Sequence, residues 1–320
     1  MLKKMYSRKI LVATSVLFAL LLVYLVPKEN TYSLQDIPQK VSYVDKTIKT
    51  SVIYLWDSNH LLARTEVPTN NKEVTALAKE LLQILIKDGE GNDKIPSGFQ
   101  AVLPSETKIL SIGFENEILK INLSKELLDV TEVEEESLIA SIVYTLTSIE
   151  GIENIILYVE GDILSKLPQS KINLPSTLNR KIGINKEYDL KSFNDVTSVT
   201  VYYIGSYNED YYYVPVTKYL NTDREKIKII IDELASGPTY GSNLMSFLNG
   251  NTKLLATEQE VDTLFLTFNE YIFSDMDERN ILEEVLYTIE LSIAENYDVK
   301  EVIFEVDNQE IYKSVLKSIE

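Results

Sequence analysis

The chain contains one pattern of sequence twice. Each copy predicts a helix with an apolar stripe, a short turn and a strand rich in β-branched residues. The matched segments are residues 51–55 with 199–203, 103–110 with 248–255, 141–146 with 284–289, and 153–161 with 300–308. The offset stays near about 145 residues, far longer than the roughly 20–50 residues of a solenoid repeat. The duplication therefore predicts a tandem pair of domains.

The helical segment of each copy carries a Tyr-Thr pair, Tyr144-Thr145 in the first and Tyr287-Thr288 in the second. A nucleophilic threonine needs an adjacent base, and none is visible in the sequence. Because the surrounding stripe is apolar, both pairs are expected to pack their helices on a sheet.

Composition indicates a globular chain with an acidic body. The 320 residues are 45% hydrophobic and 25% charged, and the net charge is −18. All five basic residues before Glu29 lie in a lead segment without acids, so the remainder holds 26 basic and 49 acidic residues, a net charge of −23. Such a body repels phosphate backbones, which argues against nucleic-acid binding.

The chain has no cysteine and one histidine, His60. This excludes disulfides, thiolate chemistry and cysteine-ligated zinc, and it leaves no histidine cluster for a metal site. No glycine-rich phosphate loop, Ser-His-Asp set or metal motif is present. The sequence predicts no catalytic residue, no cofactor and no metal. His60 itself is expected in the turn of a hairpin.

The uncharged run that begins at Ile10 and ends at Val26 (residues 10–26) is at the lower edge of the length of a membrane-spanning helix. It is longer than the apolar part of a secretory signal, and four basic residues precede it. We therefore expect residues 1–9 in the cytoplasm, residues 10–26 as a single membrane anchor, residues 27–50 as a tether, and the body outside the cytoplasm. A cleaved signal peptide is the alternative.

Each repeat predicts the element order β-β-α-β-β-α-β. With both helices on one face of the sheet, the fold class is α+β, with two similar two-layer domains. The expected bounds are residues 51–165 and 197–320, joined by a connector over 166–196 that should pack along a domain. The last strand, near 301–306, is expected to precede a short helix that ends the chain.

Capping residues mark several helix ends. Thr131 with Glu134 and Thr222 with Glu225 fit capping boxes, and Gly237-Pro238 should end the helix of the second repeat. The acids Glu132, Glu134, Glu135 and Glu136 could suggest a cation site, but consecutive residues splay around a helix and cannot all bind one ion. They are expected to form a solvated helix start, where acids favour the positive end of the dipole.

The second repeat contains a cluster of tyrosines that forms the candidate interaction surface. Its members are Tyr202, Tyr203, Tyr207, Tyr211, Tyr212 and Tyr213. Aromatic rows on a sheet can form a protein interface or stack on sugar rings, and tyrosine also favours ordinary strands. The three interpretations remain open.

Taken together, these segments resemble a known family. The pieces in order are residues 199–203, 236–238, 248–255, 143–146 and 151–161, and the connector residues 179–189 resemble the spacer between tandem copies. They are similar to the GerMN domain of the GerM family of sporulation and spore-germination proteins. The resemblance covers most of residues 51–310, although the first repeat lacks the Gly-Pro stop.

The resemblance implies an endospore-forming bacterium and a non-enzymatic envelope protein that helps to assemble the export complex between mother cell and forespore. It also implies a fold like that of the ring-building modules of secretion systems. Members of the family typically carry a lipid-modified cysteine. This chain has no cysteine, so residues 10–26 would have to supply the anchor.

The sequence therefore predicts a membrane-anchored, exported structural or assembly factor in sporulation. Its partners would be other sporulation envelope proteins, including ring-forming ones, and its place would be the intermembrane space of the developing spore. A cell-wall or glycan-binding module that contacts peptidoglycan is the first alternative. A hydrolase is the second, and a carboxylate pair in one cleft would favour it.

Overall fold

The structure is a computed structural model that describes residues 49–316. The expected basic segment, the anchor at residues 10–26, nearly all of the tether and the last four residues lie outside the described residues. Within residues 49–316, no helix has the length and apolar character needed to cross a bilayer.

The described chain has four α-helices and thirteen β-strands, and the two repeats use them in the same order. The elements of the first repeat are β1 (Thr50–Trp56), β2 (Leu62–Pro68), α1 (Val74–Leu85), β3 (Ile109–Glu115), β4 (Ile118–Leu123), α2 (Glu132–Leu146), β5 (Asn154–Val159) and β6 (Asp162–Ile163). The connector adds β7 (Glu187–Asp189). The elements of the second repeat are β8 (Val196–Tyr207), β9 (Asp210–Asn221), α3 (Lys226–Ser236), β10 (Leu254–Glu260), β11 (Thr263–Phe268), α4 (Glu283–Asn296), β12 (Glu301–Val306) and β13 (Gln309–Val315).

The strands form three sheets. The orders β3-β4-β5-β6 and β10-β11-β12-β13 belong to the first and second repeats, and the strands on either side of α2 and of α4 are parallel, as a crossover requires. The third sheet is shared by both repeats. In it β9 pairs with β8 along its whole length, and on its other side it pairs with β2 at Tyr213 and with β7 at Lys218–Leu220.

The expected single sheet per domain is therefore wrong. The opening hairpin of each repeat belongs to the shared sheet and not to the four-stranded sheet of its own repeat, and side chains of the crossover helix bond its outer edge. The hydroxyl of Ser141 on α2 donates to the carbonyl of Tyr54 over 2.8 Å, and Thr145 accepts from the amide of the same residue. Bonding of this kind covers an edge strand that would otherwise be exposed. Mixed α/β character and two similar domains are confirmed.

The structure aligns the helices α2 and α4 differently from the sequence. Their equivalent residues are displaced by one helical turn from the alignment that matches the two Tyr-Thr pairs. Thr145 accepts from the amide of Tyr54 over 3.0 Å, and Ser292 accepts from the amide of Tyr202, the equivalent strand residue, over 2.9 Å. Thr145 is thus equivalent to Ser292 and not to Thr288. Because a helix repeats its face about every four residues, the apolar stripe tolerates this slip of one turn.

The end of the chain is a strand where a helix was expected. Asp307 and Asn308 both have positive φ, near 55° and 59°, which fits a tight hairpin turn of the type favoured between twisted strands. The turn returns the chain along β12 as β13, which pairs antiparallel with β12 from Gln309 to Val315.

Some of the helix ends that the sequence predicts are present in the structure. The capping box of Thr131 and Glu134 is present, and α3 ends before Gly237, whose φ of 80° suits glycine. The prediction of a capping box formed by Thr222 and Glu225 is wrong. Helix α3 begins at Lys226 with Glu225 itself at the cap position, and Thr222 instead accepts from the amide of Arg224.

Each repeat has its own apolar core, and the connector belongs to the first. The first core contains residues of β1, α1, β4, α2 and β5, and it takes in Leu167, Leu178 and Ile184 from the connector. The second core is built from β8, β9, α3, β11, α4 and β12, with Ala63 as its contribution from the first repeat. The prediction that the connector packs along a domain is confirmed.

Candidate functional site

A buried polar cluster joins the two repeats. The hydroxyl oxygens of Tyr54 on β1 and Tyr202 on β8 lie 2.9 Å apart, and both residues are almost fully buried. The Tyr202 hydroxyl also lies 3.4 Å from a carboxylate oxygen of Glu295 on α4. A hydroxyl pair between repeats satisfies two polar groups that burial would otherwise penalise.

Arg180, in the connector, crosses from one repeat to the other. Its guanidinium donates to the carbonyl oxygen of Tyr144, to the hydroxyls of Thr147 and Ser148, and to Glu295 over 2.7 Å. It also lies over the Tyr144 ring, 4.9 Å from the centroid. The planar fork of arginine suits such simultaneous bonding and stacking. Arg180 therefore holds α2 of the first repeat against α4 of the second.

Three groups of this cluster have shifted pKa values. Burial acts to lower the pKa of Arg180, but the Glu295 carboxylate and nearby tyrosines raise it by more. Burial first, and then neighbouring charge, raises the pKa values of Tyr144 and Tyr202 well above the usual range. Both tyrosines therefore remain neutral at physiological pH beside the Arg180–Glu295 ion pair.

An open cleft of about 1130 Å³ lies beside this cluster, between the first-repeat hairpin and the last elements of the second repeat. Its floor is one face of the shared sheet. Tyr54, Arg64 and Tyr213 sit side by side there because Tyr54 pairs with Arg64 and Arg64 pairs with Tyr213 across the strands. Val52 and Glu66 form the next row.

The walls of the cleft come from α4 and β13. The α4 residues at the wall repeat with helical spacing, so they form one face of the helix. They are Glu283, Leu286, Tyr287, Glu290, Leu291 and Ala294. The opposite wall is formed by the segment from Tyr312 to Leu316. Both repeats are therefore needed to form the cleft.

Glu290 is an unusual polar group of this cleft. One of its carboxylate oxygens is buried and accepts no hydrogen bond from any residue that the structure describes. Burial raises the pKa of Glu290, and the hydroxyls of Ser314 and Tyr312 partly oppose that effect. A buried acceptor without a donor costs about 1–3 kcal/mol.

The six tyrosines of the candidate surface do not share one surface. Tyr202, Tyr203 and Tyr212 are buried. Tyr212 crosses to the first repeat, where its hydroxyl donates to Asp57 over 2.9 Å and its ring packs edge-on against Phe99. The rings of these three tyrosines are therefore unable to contact a partner while the protein is folded.

The other three tyrosines retain some exposure. Tyr207 lies against Gly98 of the first repeat, where a Cβ atom would be 2.5 Å from the tyrosine ring, so only glycine permits this approach. Tyr211 is half exposed and packs edge-on on Phe247. Tyr213 is partly buried on the cleft floor, 5.8 Å from the ring of Tyr287. Most of the cluster thus joins the two repeats of one chain.

The other predicted residues have structural surroundings. His60 is exposed in the hairpin turn, as expected. Of the helix-start acids, Glu132 is exposed, Glu134 caps the helix and Glu136 pairs with Lys186. The prediction that these acids are solvated is wrong for Glu135. Its side chain is 1% exposed and accepts three hydrogen bonds from Gln169 and Ser170 of the connector.

The described residues also contain no group of three or more acidic, histidine or cysteine side chains able to hold a metal ion.

The family comparison matches both repeats. Residues 52–165 and 200–312 fit the domain family Germane, described as sporulation and spore germination. The chain belongs to this family. Membership makes it a protein related to sporulation and spore germination.

The sequence and the solved structure of one similar protein, both from Bacillus subtilis, extend the match beyond single domains. The chain is 32% identical over 265 residues to the spore germination protein GerM of Bacillus subtilis (strain 168), covering 80% of this chain and 71% of that protein. It is also similar to the solved structure of the tandem GerMN domains of GerM, with a TM-score of 0.75 and 30% identity over 82% of this chain and 92% of that one. The prediction of tandem Germane (GerMN) repeats is confirmed.

Three residues of the junction and cleft carried no signal in the sequence. Arg180 lies in a connector without periodicity, and Glu290 and Glu295 look like ordinary polar residues of an amphipathic helix. Only Tyr54 and Tyr202 had a usable signal, because the duplication aligns them.

Proposed function

We propose that this Germane-family protein is an exported, membrane-anchored, non-enzymatic structural factor that helps to assemble envelope complexes during sporulation. In this proposal residues 10–26 anchor the chain, and the two repeats face the intermembrane space of the developing spore. Their partners are other sporulation envelope proteins, including ring-forming ones. Family membership supports the sporulation setting.

A duplicated surface feature carries the assembly role. The end strands β3 and β10 each contain a β-bulge, at Leu110 in the first repeat and at Leu255 in the second. These leucines align in the duplicated sequence, and they are 46% and 63% exposed. Single exposed apolar residues are common, but the same one on the same edge bulge of both repeats indicates a contact point used twice.

The charge of the body indicates the chemistry of the partner. A net charge near −23 outside the lead segment favours a basic surface and speeds its encounter through long-range attraction. Association should therefore slow as salt screens that attraction.

The chemistry of the described residues supports a non-enzymatic role. The Thr145 hydroxyl is occupied by the amide of Tyr54, and the Thr288 hydroxyl donates to backbone carbonyls of its own helix. His60 stands exposed in a turn, with no described carboxylate bonded to it. A nucleophile would need an adjacent, oriented base.

The assembly role is tested by replacing Leu110 and Leu255 with aspartate, singly and together, in an endospore-forming host that relies on this chain. The double variant should lower sporulation efficiency more than either single one, with an unchanged thermal melt. Val133→Asp is the matched control, because Val133 is apolar and 87% exposed but lies on α2. Normal sporulation of the double variant would overturn the proposed contact point.

The anchor is tested separately with protease added to intact protoplasts. The body should be digested while a tag at the N-terminus stays protected, because the basic flank favours the cytoplasmic side. A protected body would contradict the proposed orientation.

A further inference from the structure

We propose that the open face of the second-repeat sheet β10–β13, the face turned away from the second core, docks a basic segment of a partner protein. The segment would be rich in lysine or arginine and would carry an apolar residue at its centre. This inference rests on the proposed function and deepens it, because it assigns the basic partner to one surface of the body.

An apolar pair forms the centre of the open face. Phe265 on β11 pairs in register with Ile303 on β12, and the side chains of directly paired residues lie on the same face of a sheet. The preceding residues Leu264 and Val302 point to the opposite face and belong to the second core. Phe265 and Ile303 belong to neither apolar core. The pair is therefore apolar surface on the side of the sheet that the helices do not cover.

Five glutamates surround this pair, because residues that pair across the four strands form rows on the open face. They are Glu258 in the row of the pair, Glu260 and Glu301 in the row on one side, and Glu305 and Glu310 in the row on the other. The basic side chain described in these rows is Lys313, so one lysine against five glutamates leaves a formal charge of −4. Neighbouring strands lie about 4.8 Å apart, so this charge falls within a face roughly 14 Å wide.

The described residues compensate these carboxylates poorly. Among residues 49–316, Glu301 alone of the five has a basic partner, Lys313 at 2.9 Å, while Glu305 accepts from the hydroxyl of Thr267. Glu305 lies directly opposite Glu310 across β12 and β13, and like charges in this arrangement destabilise a sheet. A bound ammonium or guanidinium group would relieve this repulsion, whereas an acidic segment would increase it.

The first repeat has no such charge on the equivalent face. The duplicated strands align Gly113, Asn154, Tyr158 and Ile163 with Glu258, Glu301, Glu305 and Glu310. The fifth position is Glu115 in the first repeat, and it pairs with Lys120 at 3.3 Å, so the rows of that face carry no net charge. Because both sheets have the same strand order, the fold itself does not require these acids.

The arrangement of the face selects the occupant. Protein interfaces combine an apolar centre with a polar rim, and here the rim is acidic. The pair of Phe265 and Ile303 would exclude water around one apolar side chain of the segment. The surrounding carboxylates would form charge-assisted hydrogen bonds with lysine or arginine on either side of that residue. A small cation would use the charge of the face but not its apolar centre.

The test is fluorescence anisotropy of a labelled heptapeptide, six lysines around a central leucine, titrated with the full chain in a nonionic detergent. The native chain should bind this peptide, and rising salt should weaken the binding. A variant that combines Glu258→Gln, Glu260→Gln and Glu310→Gln should bind at least about tenfold more weakly, because it removes three exposed carboxylates of the face.

The matched control combines Glu106→Gln, Glu132→Gln and Glu150→Gln. These three glutamates are exposed in the first repeat, so the control removes the same charge from a different surface. It should weaken binding by less than about threefold, since salt screens charges at that distance. A thermal melt of each variant shows that it is folded.

Two further probes test the apolar centre. A heptapeptide with glycine in place of the leucine should bind at least about threefold more weakly, and spermine should bind more weakly than the leucine peptide. The proposal is overturned if the leucine peptide does not bind, or if the folded triple variant of the face binds it like the native chain. Equal losses in the control, equal binding of the two peptides, or spermine binding as tight as that of the leucine peptide would also overturn it.

The outcome is separable from the test at Leu110 and Leu255, because those residues lie outside the rows of the open face. Peptide binding together with normal sporulation of the double leucine variant would overturn the proposed contact point alone. Lost sporulation in that variant without peptide binding to the native chain would overturn the open face alone.

Discussion

The hydroxyl oxygens of Tyr54 and Tyr202 lie 2.9 Å apart although the residues are 148 positions apart in the chain. They are the same position of the two repeats, on β1 and β8, which are the outer strands of the shared sheet. The two side chains therefore reach each other across the inner strands β2 and β9, which pair at Arg64 and Tyr213. The two repeats are therefore bonded to each other through buried groups rather than linked only by the connector.

Removing either hydroxyl of this pair should destabilise the protein. Tyr54→Phe and Tyr202→Phe should each lower the free energy of unfolding by about 1 kcal/mol, because each leaves the other hydroxyl without its partner. The double variant should lose less than the sum of the two, since both changes remove the same bond. Urea denaturation measures all three values.

Tyr240→Phe is the control for this pair, since Tyr240 is fully exposed, and it should change stability by less than about 0.5 kcal/mol. Strictly additive losses in the double variant would mean that the two hydroxyls do not interact.

The ion pair of Arg180 and Glu295 should be a larger contribution to the junction. The two side chains are only 16% and 4% exposed, so Glu295→Gln leaves a buried guanidinium without its carboxylate. Breaking such a pair from one side costs about 3–5 kcal/mol. Thermal melting should show a correspondingly large drop, whereas Asp262→Asn, which breaks the exposed pair with Lys300, should have no measurable effect. Equal melts would contradict the role of Arg180 in joining the repeats.

Patterns with a short period were readable from the sequence. The apolar stripes predicted α1 to α4, and alternation with turn residues predicted most strands. Duplication showed the tandem pair and aligned Tyr54 with Tyr202. The predictions failed where one sequence pattern is compatible with two different structures. A slip of one turn leaves a helix stripe intact, and the segment after β12 lacked a strong signal for a hairpin.

The junction could not be read because its contacts are remote in sequence and its residues are common types. Arg180 contacts Tyr144 and Glu295, which lie in different repeats, and no local pattern indicates such a meeting. The tyrosine cluster was visible, but which tyrosines face inward depends on the partner sheet. The four acids within residues 132–136 looked alike in the sequence, although Glu135 alone is buried.

Glu135 should therefore matter to folding although its neighbours do not. Its carboxylate accepts from the amide of Gln169 and from the amide and hydroxyl of Ser170 at 2.6–2.7 Å, which fixes the connector on α2. Glu135→Ala should cost about 2 kcal/mol and make the connector sensitive to limited proteolysis, because hydrogen bonds to a charged group contribute about 1.5–3 kcal/mol. Glu132→Ala, at an exposed position, is the control. An unchanged cleavage pattern in Glu135→Ala would show that the connector is held by its apolar residues alone.

The last prediction concerns acid stability and Glu80 on α1. Its carboxylate is buried and accepts from Lys94 over 2.6 Å and from the backbone amides of Asn70 and Asn71 over 3.1 Å. Burial alone would raise the pKa of Glu80, but the hydrogen bonds from Lys94 and Asn71 outweigh it and lower the pKa from 4.5 to about 2. The folded state therefore holds the ionised form more strongly than the unfolded state does.

A depressed pKa stabilises the folded state at pH values above the unfolded pKa, and this stabilisation is lost as the pH falls towards the folded pKa. For Glu80 that window runs from about 4.5 down to about 2 and corresponds to about 3 kcal/mol. Glu80→Gln should be less stable than the native protein by about this amount at pH 7, and the difference should close between pH 4.5 and pH 2. Urea denaturation at several pH values measures it, with the exposed Glu106→Gln as control. A difference that persists at pH 2 would assign the effect to hydrogen-bond geometry and not to charge.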